Sequence, residues 1–263
     1  MLDGMKYANA GMIQMSMKQD IITNNLANST TAGFRRETAY ISSFSDVLDK
    51  KMGFIPGKGG RTDYNGYMEV GGGLEMEGGM RQDTVTGWAQ GSLRETGNNF
   101  DLALDDDGKG FFTVKVGNDT RYTRNGSFRL SPDGHIVTAE GAQLMGQKGP
   151  INVGKANNVE VTPEGIVKAD GREVDRLRVT TFMNFSAVKK EGTNNFVDNN
   201  AGAMTMSKGV CVRQGFIEQG NVNAVAEMVE LMQVSRAFEA NQKMLQTQDQ
   251  VLRKAANELG KVR

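Results

Sequence analysis

Residues 221–259 decide the fold: NVNAVAEMVELMQVSRAFEANQKMLQTQDQVLRKAANEL runs for thirty-nine residues without a proline or a glycine. Proline removes a backbone donor and clashes with the preceding turn, and glycine costs backbone entropy, so excluding both predicts one long helix. Leu231, Phe238, Leu245, Leu252 and Leu259 fall seven apart, with Val234, Asn241, Gln248 and Ala255 interleaved, the spacing of an a/d seam. Asn223 suits the N-cap, Glu227 and Glu230 suit the positive end of the helix dipole, and Gly260 suits a stop. Such a helix runs on the order of 55 Å. A small β-domain cannot cover that length, so the helix must pack on something else.

The other end of the chain repeats the logic. Met5, Ala8, Met12, Met15, Gln19, Ile22 and Leu26 recur at alternating spacings of 3 and 4, again an a/d seam, with Gln19 its one polar interruption. The seam runs into Asn24-Asn25-Leu26-Ala27-Asn28-Ser29-Thr30-Thr31-Ala32-Gly33-Phe34. Asn, Ser and Thr compete for local backbone groups and Gly33 tolerates a positive φ, so the helix should end in this turn. Apolar residues also lie off both seams, at Ile13, Met17, Ile21, Met228, Met232, Met244 and Val251. An amphipathic helix cannot bury its own apolar face. The two helices are therefore expected to pair with each other and then to pack against further copies, with methionine adapting to several neighbours. The terminal segments are expected to order largely on assembly.

Between the helices the character changes twice. Residues 53–97 hold 13 glycines, too many for a stable helix, and read as extended backbone. From Asp101 to Val212 the period becomes 2. Phe112 to Val116, Arg121 to Arg124, Ser127 to Leu130, His135 to Thr138, Val159 to Val161, Ile166 to Lys168 and Val174 to Phe182 read as short strands. Gly117-Asn118-Asp119, Ser131-Pro132-Asp133-Gly134, Thr162-Pro163-Glu164-Gly165 and Asp170-Gly171 read as turns, and Asn125-Gly126 as a hairpin dipeptide.

Composition narrows the function. Lys plus Arg equals Asp plus Glu at 31 each, so no net field draws nucleic acid or an anionic membrane. Cys211 is the one cysteine and His135 the one histidine, which excludes an internal disulfide and a multi-cysteine metal centre. No apolar run reaches the length of a membrane span, and Met1 to Lys6 lacks a secretory n-region, so any export would use a dedicated machine. The sequence supplies no catalytic residues, no cofactor-binding residues and no metal ligands. Asp105-Asp106-Asp107 is the densest acidic cluster, yet it precedes Gly108 and reads as a solvated turn. It offers neither the paired carboxylates of glycoside hydrolysis nor the wider pattern of a calcium loop. His135 reads as a surface strand residue and Cys211, among valines, as a small buried hydrophobe.

Three motifs in order carry a resemblance. Asp20-Ile21-Ile22-Thr23-Asn24-Asn25-Leu26-Ala27-Asn28, followed by Thr31-Ala32-Gly33-Phe34-Arg35, resembles the N-terminal signature of bacterial flagellar rod and hook proteins. Gln214-Gly215-Phe216-Ile217-Glu218-Gln219-Gly220-Asn221-Val222-Asn223, then Glu227-Met228-Val229 and Arg236 to Asn241, resembles the family's C-terminal signature. Asp101 to Leu104, Gly110-Phe111-Phe112 and Tyr122 to Phe128 look like its β-domain. The overall length suits a rod member. Gly146 to Ile151 with the tail Gln246 to Asp249 and Arg253 to Ala256 looks most like a proximal-rod subunit, with the distal-rod member and hook-type axial subunits as alternatives.

The resemblance implies an α+β fold, with long N- and C-terminal helices paired as a coiled coil, an inserted antiparallel β-rich domain and a Gly-rich extended linker. The expected partition is 1–35 N-terminal axial helix and turn, 36–97 linker, 98–212 outer β-domain and 213–263 C-terminal axial helix. It also implies no enzymatic activity, polymerisation with copies of itself and other rod or hook subunits, passage through the flagellar type III export apparatus, and a place within the basal-body rings. The expected interface is the two seams, and the expected family-motif turn is Asn24, Asn25, Leu26, Ala27, Asn28, Gly33 and Phe34. A carbohydrate-binding module, with Trp88, Tyr64 and Tyr67 as a stacking platform, and a peptidoglycan-active enzyme are the rival readings. A binding module has no use for two sticky terminal helices, and the enzyme would need two carboxylates in fixed roles.

Overall fold

The computed structural model describes residues 2–42, 74–76, 80–156, 158–206 and 211–259. Helix α1 spans Leu2–Ala27 and helix α2 spans Ala224–Leu259. Asn223 caps α2, its Oδ1 accepting from the backbone N–H groups of Val225 and Ala226 at 3.1 and 3.2 Å. Among the described residues, neither helix is long and apolar enough to cross a membrane.

Among the described residues between the helices, the paired strands all run antiparallel. The largest sheet runs Val188–Glu191, Asn195–Asp198, Asp119–Thr123, Phe111–Val116, Gln143–Leu144, Ile136–Thr138, Phe128–Leu130, with Val179–Phe182 and Ala203–Thr205 branching from Phe111–Val116. A three-stranded sheet of Val159–Val161, Ile166–Ala169 and Arg172–Arg176 packs beside it. A second holds Glu37–Ser42, Met80–Thr86 and Leu74–Met76, so strands occupy part of the segment expected to be linker. Two ribbons join the chain's late residues to its early ones: Val212–Gln214 on Leu102–Leu104, and Phe216–Glu218 on Leu93–Glu95.

Strand Phe111–Val116 organises the interior, because successive side chains point to opposite faces of a strand. Phe112 faces a core with Leu104, Val114, Phe128, Ile136 and Leu144, while Phe111 faces an aromatic cluster with Phe182, Phe196, Trp88, Tyr122 and Phe185. Trp88 meets the Phe111, Phe185 and Phe196 rings at 5.7, 5.3 and 5.2 Å. Tyr64 and Tyr67 lie outside the described residues, and Trp88 is committed to this cluster.

The expected turns place glycine at positive φ, and in Asp170-Gly171 the aspartate shares it at φ +50°. Gly117, Gly134, Gly165 and Gly171 all take positive φ between paired strands. Asn125-Gly126 makes no hairpin, because Asp119–Thr123 and Phe128–Leu130 are not neighbours. Glycine is needed there for space: a Cβ on Gly126 would lie 1.5 Å from the Leu102 carbonyl oxygen.

The coiled-coil expectation is overturned. The described residues are mostly antiparallel sheet with two α-helices, and those helices do not form a coiled coil. They run antiparallel, with Asn25 near Glu227, Lys18 near Glu230 and Gly11 near Asn241. A coiled coil buries its a and d side chains. Among the described seam side chains only Ile22 and Val234 are buried, while Met12, Met15, Gln19, Leu26, Leu231, Phe238, Asn241 and Leu245 stay partly exposed. Polar Gln14, Asn25 and Glu227 are the other buried helix residues. The heptad pattern marks the stripe on which the helices touch, but the hydrophobic interior lies in the sheets. The side chains of Met5, Ala8, Leu252 and Leu259 lie outside the described residues.

Candidate functional site

The two signature segments meet each other where the helices join the β-body. Helix α1 ends where its bonding tightens: Asn28 N–H makes the last helical bond to the Asn24 carbonyl at 3.1 Å, an oxygen that also accepts from Asn28 Nδ2 at 2.9 Å, and Ser29 N–H and Oγ then turn to the Leu26 carbonyl at 3.2 and 2.8 Å. The chain then turns through Gly33 at φ +69°, and the Gly33 N–H donates to the Glu218 carbonyl at 2.8 Å. A Cβ on Gly33 would lie 2.3 Å from the Asn125 nitrogen, so both conformation and space demand glycine. Phe34, beside it, is fully buried.

Arg35 follows, with no exposed surface, and enters a charged cluster. Its Nη1 donates to Glu218 Oε1 at 2.7 Å and to the Ala89 carbonyl at 2.9 Å. Arg124, equally buried, donates to Glu218 Oε2 at 3.3 Å and to Asp106 Oδ1 at 2.7 Å. Asp106 also accepts from the Gly108 and Gly110 N–H groups, and Glu218 Oε1 from Gly91 N–H. Burial pulls the Arg35 guanidinium below its ordinary pKa; Glu218 opposes the shift and the like charge of Arg124 adds to it. Arg35 Nε and Nη2 and Arg124 Nε make no hydrogen bond. Donors outnumber acceptors, and Glu218 is the acceptor both arginines share.

A second polar set ties the helices themselves. Buried Asn25 accepts from Glu37 N–H at 3.0 Å, donates to the Glu37 carbonyl at 2.7 Å, and reaches Glu227 at 3.3 Å. Arg36 pairs with Glu227 and Glu230, and Lys18 with Glu230 at 2.9 Å. Asn221 Oδ1 accepts from Arg36 N–H, and its Nδ2 donates to the Gly87 and Ala89 carbonyls. From the body, Lys190 Nζ sits 3.9 Å from the centre of the Phe34 ring and 3.5 Å from Glu37, and donates to the Arg35 carbonyl at 3.3 Å. Burial lowers the Lys190 pKa, with Glu37 opposing.

The structure thus brings Asn25, Gly33 and Phe34 together in one joint. Asn24 and Ala27 remain exposed and Leu26 and Asn28 partly so. The sequence reading missed Arg35, Arg124, Asp106, Glu218 and Lys190 as joint residues. Asp106 in particular is no solvated turn: its side chain is 3% exposed and holds Arg124. Cys211 is half-buried rather than enclosed. Among the described residues no group of three or more His, Cys, Asp or Glu is placed to hold a metal.

A β-body, two long terminal helices with exposed apolar side chains and a buried mechanical joint define a structural assembly subunit. Three family models match the chain in the same places: flagella basal body rod protein at residues 5–35, flagellar hook protein FlgE/F/G D1 domain at 107–169, and flagellar basal body rod FlgEFG protein C-terminal at 213–259. The flagellar basal-body rod protein FlgG of Caulobacter vibrioides is 30% identical, over 95% of this chain and 97% of that protein. FlgG of Buchnera aphidicola subsp. Schizaphis graminum is 29% identical over 97% and 98%, and the rod protein FlgF of Caulobacter vibrioides 29% over 95% of each. The chain belongs to the flagellar basal-body rod protein family and is a structural subunit of that kind.

Proposed function

We propose that this chain polymerises, with copies of itself and other axial subunits, into the helical tube of the flagellar basal-body rod. In this reading it works without catalysis and occupies the proximal section. The observation that carries the reading is the outer surface of the helices. Val225, Met228, Val229, Met232, Met244 and Val251 on α2 and Ile13 on α1 are between 44% and 69% exposed. Scattered apolar residues on a surface are ordinary, but this many on helices flanking a well-filled body leave unsatisfied faces for neighbouring subunits. The partly exposed seam residues Met12, Met15, Leu26, Leu231, Phe238 and Leu245 lie next to those faces and complete the proposed interface.

A head-to-tail contact whose rotation does not close gives a tube instead of a ring. Such a tube carries torque only if each helix is fixed to its body, and the buried joint supplies that connection. The passage of the chain through the type III export apparatus, and its place among the basal-body rings, belong to the same proposal. Leu245→Asp tests the interface. It is expected to leave the β-body folded, read from exchange-protected amides at Met145 and Leu177, and to abolish rod assembly in cells; rods of normal length would overturn the proposal. Imaging of basal bodies from a deletion strain tests position: a rod truncated near the inner membrane supports the proximal assignment, and one truncated near the hook assigns the distal section.

A further inference from the structure

We infer that the buried cluster Asp106–Arg124–Arg35–Glu218 makes the docking of the two chain ends mutually conditional. The charge count gives the device. Asp106 and Arg124 belong to the β-body and cancel each other. Arg35 arrives with the N-terminal turn, and Glu218 with the last strand before α2, 183 residues away in sequence. Arg35 docked alone leaves the cluster at +1; Glu218 docked alone leaves it at −1; only both together restore neutrality. Every one of these side chains is 3% exposed or less, so solvent cannot screen the odd charge. An unpaired charge in such a place is far more costly than the pair is stabilising.

Backbone bonds run between the two ends as well. The Gly33 N–H donates to the Glu218 carbonyl, so the N-terminal turn needs the C-terminal strand in any case. The strand Phe216–Glu218 pairs with Leu93–Glu95, and just beyond it the Asn221 N–H donates to the Phe34 carbonyl at 3.3 Å, so the backbone ties each end to the other. Arg35→Met and Glu218→Gln leave these backbone bonds in place, so what the two substitutions change is the charge balance of the cluster. The consequence is that α1 and α2 order and release as a unit, whatever they assemble with.

The test is hydrogen exchange on the full chain. Gln219 N–H, bonded to the Ser92 carbonyl, and Thr96 N–H, bonded to the Gly215 carbonyl, report the C-terminal strand; Leu177 N–H reports the body. Arg35→Met is expected to speed exchange at Gln219 and Thr96 by roughly a hundredfold or more, with Leu177 unchanged. Glu218→Gln is expected to do the same. The neutral double variant Arg35→Met with Glu218→Gln is expected to fall within about tenfold of the unmodified chain, because Asp106 and Arg124 are again balanced. Exchange at Gln219 unmoved by Arg35→Met, or a double variant whose loss is the product of the two single losses, overturns the inference. Should either single variant not fold, the unmodified chain in low denaturant decides: Gly33 and Gln219 amides must open with the same denaturant dependence, and separate openings refute the coupling.

Discussion

Truncating Phe34 to alanine isolates the joint from the body, and its cost follows from the structure. The ring is fully buried. Phe→Ala at such a site costs about 3–5 kcal/mol from lost transfer energy and the residual cavity. The ring also carries the Lys190 ammonium 3.9 Å from its centre, a desolvated cation–π contact of roughly 1–2 kcal/mol. The sum is about 4–7 kcal/mol, acting where α1, α2 and the body meet. In a chain of this size each kcal/mol lowers Tm by roughly 2–4 °C, so the helical transition should fall by about 10 °C or more. Far-ultraviolet circular dichroism on heating reads the helices, and amide exchange at Leu177 and Met145 reads the body. The expected result is early loss of helical signal with the two body amides still protected. A helical midpoint lowered by less than about 3 °C would refute the packing role assigned to Phe34. Parallel loss of body protection would show that joint and body unfold as one unit, and would refute their separation.

Two further outcomes are expected. Gly126→Ala forces a Cβ into the Leu102 carbonyl and strains the Leu102 N–H to Gly126 carbonyl bond of 2.9 Å; the chain should lose about 2–4 kcal/mol, measured as a lower unfolding midpoint with no change in assembly surface. Lys190 has a folded-state pKa depressed by burial, so the unfolded chain binds more protons in the window between that value and the ordinary lysine value. Stability must therefore rise with pH through that window in the unmodified chain, relative to Lys190→Met. Denaturant midpoints of the two chains that keep a constant separation across the window would refute the assignment.

The secondary structure was legible because its signals are local. A Pro- and Gly-free run announces α2, and Ser131 to Gly134, Thr162 to Gly165 and Asp170-Gly171 announce hairpins through residues that take positive φ. The seam of α1 and α2 was legible as periodicity, but periodicity reports which side chains share a face and not how deeply that face is buried. Hence the coiled coil was expected where partial contact is found. Asn125-Gly126 misled for a related reason: the dipeptide fits a tight turn, whereas the glycine is in fact required by a carbonyl that arrives from Leu102 in another part of the chain. The charged cluster had only a faint local signature, because its four members come from distant parts of the chain. Arg35, Arg124 and Glu218 each sit directly after a buried residue, namely Phe34, Thr123 and Ile217, and a charge flanked by interior positions inside a signature motif was the available clue.

In this chain the buried members of the signature motifs serve the joint. Asn25, Phe34, Arg35, Glu218 and Glu227 are each 1% exposed or less, so no neighbouring subunit can reach them directly. The large apolar residues exposed on α2 are chemically different: Val225, Val229 and Val251 with Met228, Met232 and Met244, the methionines conformationally forgiving. Such surfaces tolerate variation in a neighbour's shape, whereas a buried ion cluster tolerates almost none. A subunit divided in this way holds its internal geometry fixed while its contacts adapt, as required when the same chain must meet neighbours that are similar but not identical. If the proposed interface is real, substitutions at Met228 and Met232 to leucine should be nearly silent in assembly, while conservative changes at Arg35 or Glu218 should not.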